Sequence, residues 1–348
     1  MKDLKYLAAY IAPVLTFVGI YFGGLSSFSA FVFAFVFIPV TELILPRALH
    51  NLTEKEVESK LSNSMFDYLL YFNVPLVWGG IVYFLIGLVN GYYTTLEMTG
   101  NLLSLGVVMG ASGINVAHEL GHRTNKVEQW MAQALLLPSL YMHFFVEHNL
   151  GHHKHVATPE DPSTARYNEA IYVFWVRSTW QSYINAWQLE GLKLRRDGDT
   201  FWSLRNRMFH FTIIQAAYLA LVYVLAGWKG LAAMLILAVI AFLLLETINY
   251  IEHYGLLREK KPNGDYERVL PKHSWNSSHV LGRVVLYELT RHSDHHYIST
   301  KKYQILEHQE DALTLPYGYP ASMLLSLVPP LWFRVMNRKL KNSGALVG

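Results

Sequence analysis

Histidine is the residue whose spacing could do chemistry. Nine of the sixteen histidines fall into three tight clusters and one outlier. The first cluster is His118-Glu119-Leu120-Gly121-His122. A step of four places two imidazoles on one helical face, close enough to share a metal ion. The second is Glu147-His148-Asn149-Leu150-Gly151-His152-His153, again a four-residue step with a neighbouring histidine. The third is His292-Ser293-Asp294-His295-His296, whose steps of three and four gather rings on one side of a helix. His253 stands alone in Asn249-Tyr250-Ile251-Glu252-His253.

Nine imidazoles exceed what one ion holds, since zinc takes four ligands and octahedral metals six. Two ions are therefore expected. Imidazole suits iron, copper, nickel and zinc alike, so ligand type does not name the metal. Glu119, Glu147, Asp161, Asn249, Glu252 and Asp294 stand beside the histidines and can accept the other ring N–H, which fixes each tautomer. The plain alternative for each is an ordinary solvated or capping side chain. His118-Glu119-x-x-His122 is also the HExxH pattern of zinc proteases, with Glu119 as general base. His50, His210, His273, His279 and His308 are isolated. His143 sits five residues from His148, a poor spacing for a shared helical face. His155 reads as part of a loop leaving the site.

Cysteine is absent, which excludes disulfides, thiolate zinc sites and any iron–sulfur centre within the chain. No glycine-rich dinucleotide fingerprint is present. Electrons for redox chemistry must come from elsewhere. The net charge of +3 is too small to argue for nucleic acid.

The elements that position these residues are membrane helices. Of the 348 residues 52% are hydrophobic and only 16% charged, and the apolar ones lie in blocks. Spans are expected at 7–24, 27–45, 67–90, 96–117, 208–227 and 231–251. The first lacks a small-residue cleavage site and reads as a retained helix. Six spans put the N-terminus, loop 46–66 and loop 118–207 on one side, which holds nearly all the Lys and Arg and is therefore expected to be cytoplasmic. The apolar run 130–146 is expected not to cross, because crossing would separate the first two clusters. Segment 166–200, with Trp175, Trp180 and Trp187 among Arg177, Lys193, Arg195 and Arg196, reads as an interfacial amphipathic helix. Stretch 317–335, broken by Pro329-Pro330, is expected at the interface too. The fold class is an all-α integral membrane protein, one domain over 1–348, with a cytoplasmic histidine-rich metal site.

The motifs HELGHR (118–123), EHNLGHHKHVATPEDP (147–162), NYIEHYGL (249–256) and LTRHSDHH (289–296) closely resemble the integral-membrane alkane 1-monooxygenase family. Tyr303-Gln304, LPYGYP (315–320) and PPLWFRVMN (329–337) extend the likeness, which runs from about 96 to 337. HxxHH alone is shared with fatty-acid desaturases; NYIEHYGL and the ATPEDP tail are narrower. The resemblance implies a non-haem di-iron centre that activates O2 and hydroxylates a terminal methyl group. Its ligands, position by position, are His118, His122, His148, His152, His153, His253, His292, His295 and His296. It further implies electrons from a rubredoxin, reduced by an NADH-dependent reductase and docking on the basic cytoplasmic face of a bacterial inner-membrane protein. An alkane gives nothing to acid–base catalysis, so the oxidising power must come from metal and oxygen. A lipid-soluble substrate could enter from the bilayer, along a channel for which Phe31, Phe33, Phe35 and Phe37 are candidates; lipid-facing packing is the alternative for them.

The zinc-protease reading leaves the other placed ligands idle. An acyl-chain desaturase or hydroxylase, or a xylene-type methyl monooxygenase, shares the chemistry and differs in the cavity. A metal transporter predicts ligands near mid-membrane instead.

Overall fold

A computed structural model describes residues 2–345 and 347. Among these, five helices are long and apolar enough to cross a membrane: α1 (Asp3–Phe22), α2 (Gly24–Glu42), α3 (Met65–Val89), α4 (Thr95–Gly121) and, later in the chain, Arg207–His253. The outward faces of these helices carry Val14, Phe22, Val82, Ile86, Leu221 and Val224, all exposed. Such surface belongs against hydrocarbon. Where two helices were expected at 208–227 and 231–251, Arg207–His253 is one run with a break at Gly227 (φ 63°, ψ −166°). That left-handed φ costs a glycine little and an L-residue much.

Stretch 130–146 is not a continuous helix. Helix α5 (Lys126–Leu136) is followed by a tight turn at Leu137–Ser139 and by Leu140 at φ 54°. Next come α6 (Ile171–Arg196) and α7 (Arg207–His253), then the short α8 (His292–Tyr297), α9 (Tyr319–Ser326) and α10 (Pro329–Ser343).

The chain divides into two compact units. The first comprises residues 1–37, 64–146 and 186–245. Helix α4 is its centre and the most buried of the apolar helices. Thr94 Oγ1 accepts the Glu97 amide and Glu97 Oε2 accepts the Thr94 amide, a reciprocal cap that starts α4. Glu97 Oε1 also accepts the Gly24 amide at 2.7 Å, tying the α1–α2 turn to the same point. Small residues let neighbours close on α4. A Cβ on Gly100 would lie 2.1 Å from Ser27 Oγ, and one on Gly106 would lie 2.4 Å from Ile240 Cγ2. Such small-residue contacts are a main source of helix association in lipid.

The aromatic row Phe31–Phe37 does not line up. Phe31 pairs with Phe35 and Phe33 with Phe37, as a four-residue step requires. Phe33 is buried and Phe37 is 53% exposed, so the four rings do not form one wall.

The second unit comprises residues 38–63, 147–185 and 246–348. It is richer in buried polar groups. Two residues, Trp275–Asn276, pair in parallel with Leu313–Thr314. Arg177 donates to Glu169 at 2.6 and 2.8 Å and to the carbonyls of Pro162 and Thr164, both at 3.0 Å. Arg283 ion-pairs with Glu288 at 2.6 Å and donates to the Ala48 carbonyl. Arg291 donates to the carbonyls of His50 and Leu306.

Candidate metal centre

In the first unit, α4 widens into a π-type turn at Met109–Ile114 before its last segment, Asn115–Gly121. Such turns shift the register of everything after them and recur at functional sites. The rings of His118 and His122 stand edge to face with centroids 5.1 Å apart, one nitrogen of each within 4.8 Å of the other. Glu119 accepts from Arg123 at 2.7 Å, and Arg123 reaches Asp67 at 3.3 Å.

In the second unit the histidines divide in a way the helical step did not predict. His148–His152 is itself a π-type turn. Its wider pitch brings His148 to His153, five residues on, with Nε2 atoms 2.9 Å apart. His153 Nε2 also lies 3.1 Å from His295 Nε2. His152 turns instead to His253, His292 and His296, all four buried and with ligand nitrogens within 4.8 Å of one another. The step of four holds for His292 and His296, whose Nε2 atoms are 2.9 Å apart. His292 Nε2 is also 3.0 Å from His253 Nε2. Each adjacent pair, His152-His153 and His295-His296, therefore gives one ring to each group.

This donor set fits a metal. An imidazole nitrogen carries one proton or one lone pair, so His292 Nε2 cannot hydrogen-bond with both of its ring neighbours. A cation between the rings satisfies all of them, and donors about 2.1 Å from one ion at right angles stand about 3 Å apart. His152 adds a second observation: its Nδ1 meets Asp161 Oδ2 at 2.9 Å, while its buried Nε2 has no hydrogen-bond partner among the described residues. That is the carboxylate–histidine orientation of a metal ligand.

The six flanking polar residues do different things. Asp161 fixes His152, and it also accepts Thr164 Oγ1 at 2.6 Å and the Ser163 amide at 3.1 Å. Burial works to raise its carboxyl, but the charge and hydrogen bond of His152 outweigh burial and hold it below the usual carboxylate range. Glu147 accepts from Asn185 at 3.2 Å; burial first, and Asp161 second, push its carboxyl up. Asn249 is buried one turn before His253. Glu252 places Oε2 3.1 Å from His292 Nε2 and accepts Tyr319 O–H on Oε1 at 2.7 Å. Asp294, expected to steady a ring, is instead the anchor of the following loop. It accepts from Lys301 at 3.0 and 3.1 Å, from the Glu307 amide at 2.8 Å and from Gln309 at 2.6 Å.

The remaining histidines lie outside both groups. Burial pulls His143 down to about 3, leaving it neutral at physiological pH. His273 binds Glu267 at 3.1 Å, and His279 binds Ser277 at 2.9 Å. Thr164 and Tyr319 escaped notice in the sequence. The LPYGYP stretch was the one signal for Tyr319, and it named no role.

The helical scaffold and its histidine groups define a membrane metalloenzyme of the fatty acid desaturase class, whose family model matches residues 96–323. The chain is 38% identical to alkane 1-monooxygenase 2 of Alcanivorax borkumensis over 98% of its own length and 91% of the relative's. It is 40% identical to alkane 1-monooxygenase 2 of Pseudomonas aeruginosa, over 88% and 82%. The xylene/toluene monooxygenase hydroxylase component of Pseudomonas putida is 29% identical over 97% and 88%. This chain belongs to the alkane 1-monooxygenase family.

Proposed function

We propose that the chain hydroxylates the terminal methyl group of alkanes to give 1-alkanols, using O2 and electrons from rubredoxin. The observation that carries the reading is the division of the second unit's histidines into two converging groups, in a chain of this family. On this reading His148, His153 and His295 serve one iron, and His118 and His122 are metal ligands as well. His152, His253, His292 and His296 hold the other. Two non-haem irons bound there supply the activation of O2 and the oxidation of the C–H bond. The chain's own histidines bind them, and Asp161 fixes the tautomer of His152.

As one domain over 1–348, the chain crosses the bacterial inner membrane six times, α7 contributing two crossings on either side of Gly227. The Lys- and Arg-rich segments then lie in the cytoplasm, where reduced rubredoxin docks. No cysteine in these 348 residues can hold a rubredoxin-type iron centre, which supports an electron source other than this sequence. Methyl hydroxylation of alkyl-aromatics is the second reading, supported by the xylene/toluene relative.

Membranes containing the protein, supplied with rubredoxin, its reductase, NADH and O2, are to be given alkanes, fatty acids and xylenes. 1-Alkanols are the expected products. Oxidation of acyl chains or aromatics alone overturns the substrate assignment, and zinc without an iron requirement overturns the oxygenase reading.

A further inference from the structure

Among the acidic residues beside the histidines, Asp161 and Glu252 meet their rings on opposite sides. Asp161 meets His152 at Nδ1, the nitrogen turned away from the cluster. Glu252 meets His292 at Nε2, the nitrogen that also faces His253 and His296 at 3.0 and 2.9 Å. One ring nitrogen cannot hydrogen-bond with two imidazoles and a carboxylate at once. A carboxylate among converging imidazoles is itself positioned as a donor, at the His292 edge of the group. Its other oxygen is held by Tyr319 O–H at 2.7 Å, and Glu252, Tyr319 and His292 are all buried.

We propose that Glu252 is an oxygen donor to the ion of the His152, His253, His292 and His296 group, with Tyr319 as the positioning residue that aims it. The inference rests on the metal-centre reading above. Four neutral imidazoles bring no negative charge to an ion, whereas a carboxylate brings one and is a harder ligand. The two metal positions then differ chemically. The group of His148, His153 and His295 offers nitrogen, and the other offers nitrogen with one anionic oxygen. Tyr319 lies in α9, 67 residues beyond Glu252, so α9 takes part in setting the donor geometry.

The test is Mössbauer spectroscopy of the anaerobic, 57Fe(II)-loaded full chain in detergent, together with iron retention against a chelator. Wild type, Glu252→Gln and Tyr319→Phe are compared. Glu252→Gln is expected to change one of the two ferrous signals and to weaken retention of that ion by more than the about 10- to 100-fold that losing an outer partner costs. Tyr319→Phe is expected to change the same signal with a smaller loss. A purely structural role lowers thermal stability without singling out one signal. If Glu252→Gln does not fold, Tyr319→Phe decides through the same signal. Two retained irons with spectra unchanged in the folded variants overturn the Glu252 assignment alone. Wild-type protein that retains no pair of irons overturns the metal-centre reading with it.

Discussion

His152 and His153 are adjacent in the chain and serve different groups: His152 Nδ1 is tied to Asp161 at 2.9 Å, while His153 Nε2 faces His148 at 2.9 Å. The doublet is thus a divider. The π-type turn through His148–His152 aims one ring to each side, and His295-His296 repeats the division from α8.

Loss of one ring from the divider should be felt by one ion. His153→Ala is expected to halve the bound iron and abolish hydroxylation, whereas His155→Ala, outside both groups, keeps both. Iron content per purified chain is the measurement. Full iron in the His153 variant means the ligand set is drawn wrongly.

Asp161→Asn removes the charge that holds His152 with Nε2 facing inward. Removing such an outer partner typically costs about 10- to 100-fold in metal affinity. Chelator competition on the folded variant should show that loss. Equal affinity to wild type would mean that packing alone orients His152.

How legible all this was depends on the backbone beneath each residue. The hydrophobic blocks and the histidine clusters were plain, because about 20 apolar residues and imidazoles three or four apart are strong signals. The step of four brings His118 beside His122, at the end of α4, and His292 beside His296 in α8. At His148/His152 the rings are also near, with centroids 5.2 Å apart, but their ligand nitrogens go to different groups, and the π-type turn beneath them leaves no mark in composition. Asp294 misled for a different reason. Proximity in sequence cannot reveal that Lys301, Glu307 and Gln309 fold back to claim its oxygens. Tyr319 reaches Glu252 only through tertiary structure.

Arg177 should couple folding to the metal site. It braces the segment after Asp161 through the carbonyls of Pro162 and Thr164 while pairing with Glu169. Breaking a buried ion pair by removing one partner costs about 3–5 kcal/mol, and the partial exposure of this one puts the loss at the lower end. Arg177→Gln is expected to lower the melting temperature and, through Asp161, to speed iron loss to a chelator. A variant that melts lower but keeps iron as firmly as wild type would separate the brace from the site.

Close approach to α4 gives a last expectation, independent of any metal. A Cβ on Gly106 would fall 2.4 Å from Ile240 Cγ2 and 3.0 Å from its Cβ, nearer than side chains pack, so Gly106→Ala must push α7 or twist Ile240 from its rotamer. Overpacking of this kind costs about 1–3 kcal/mol. Ile240→Ala opens a gap by itself, yet it should relieve the Gly106→Ala clash. The double variant is therefore expected to be more stable than the sum of the two single losses predicts, because the residues are in contact. Thermal unfolding of the four proteins in one detergent measures the coupling. Simple additivity would mean that α4 and α7 do not meet at Gly106.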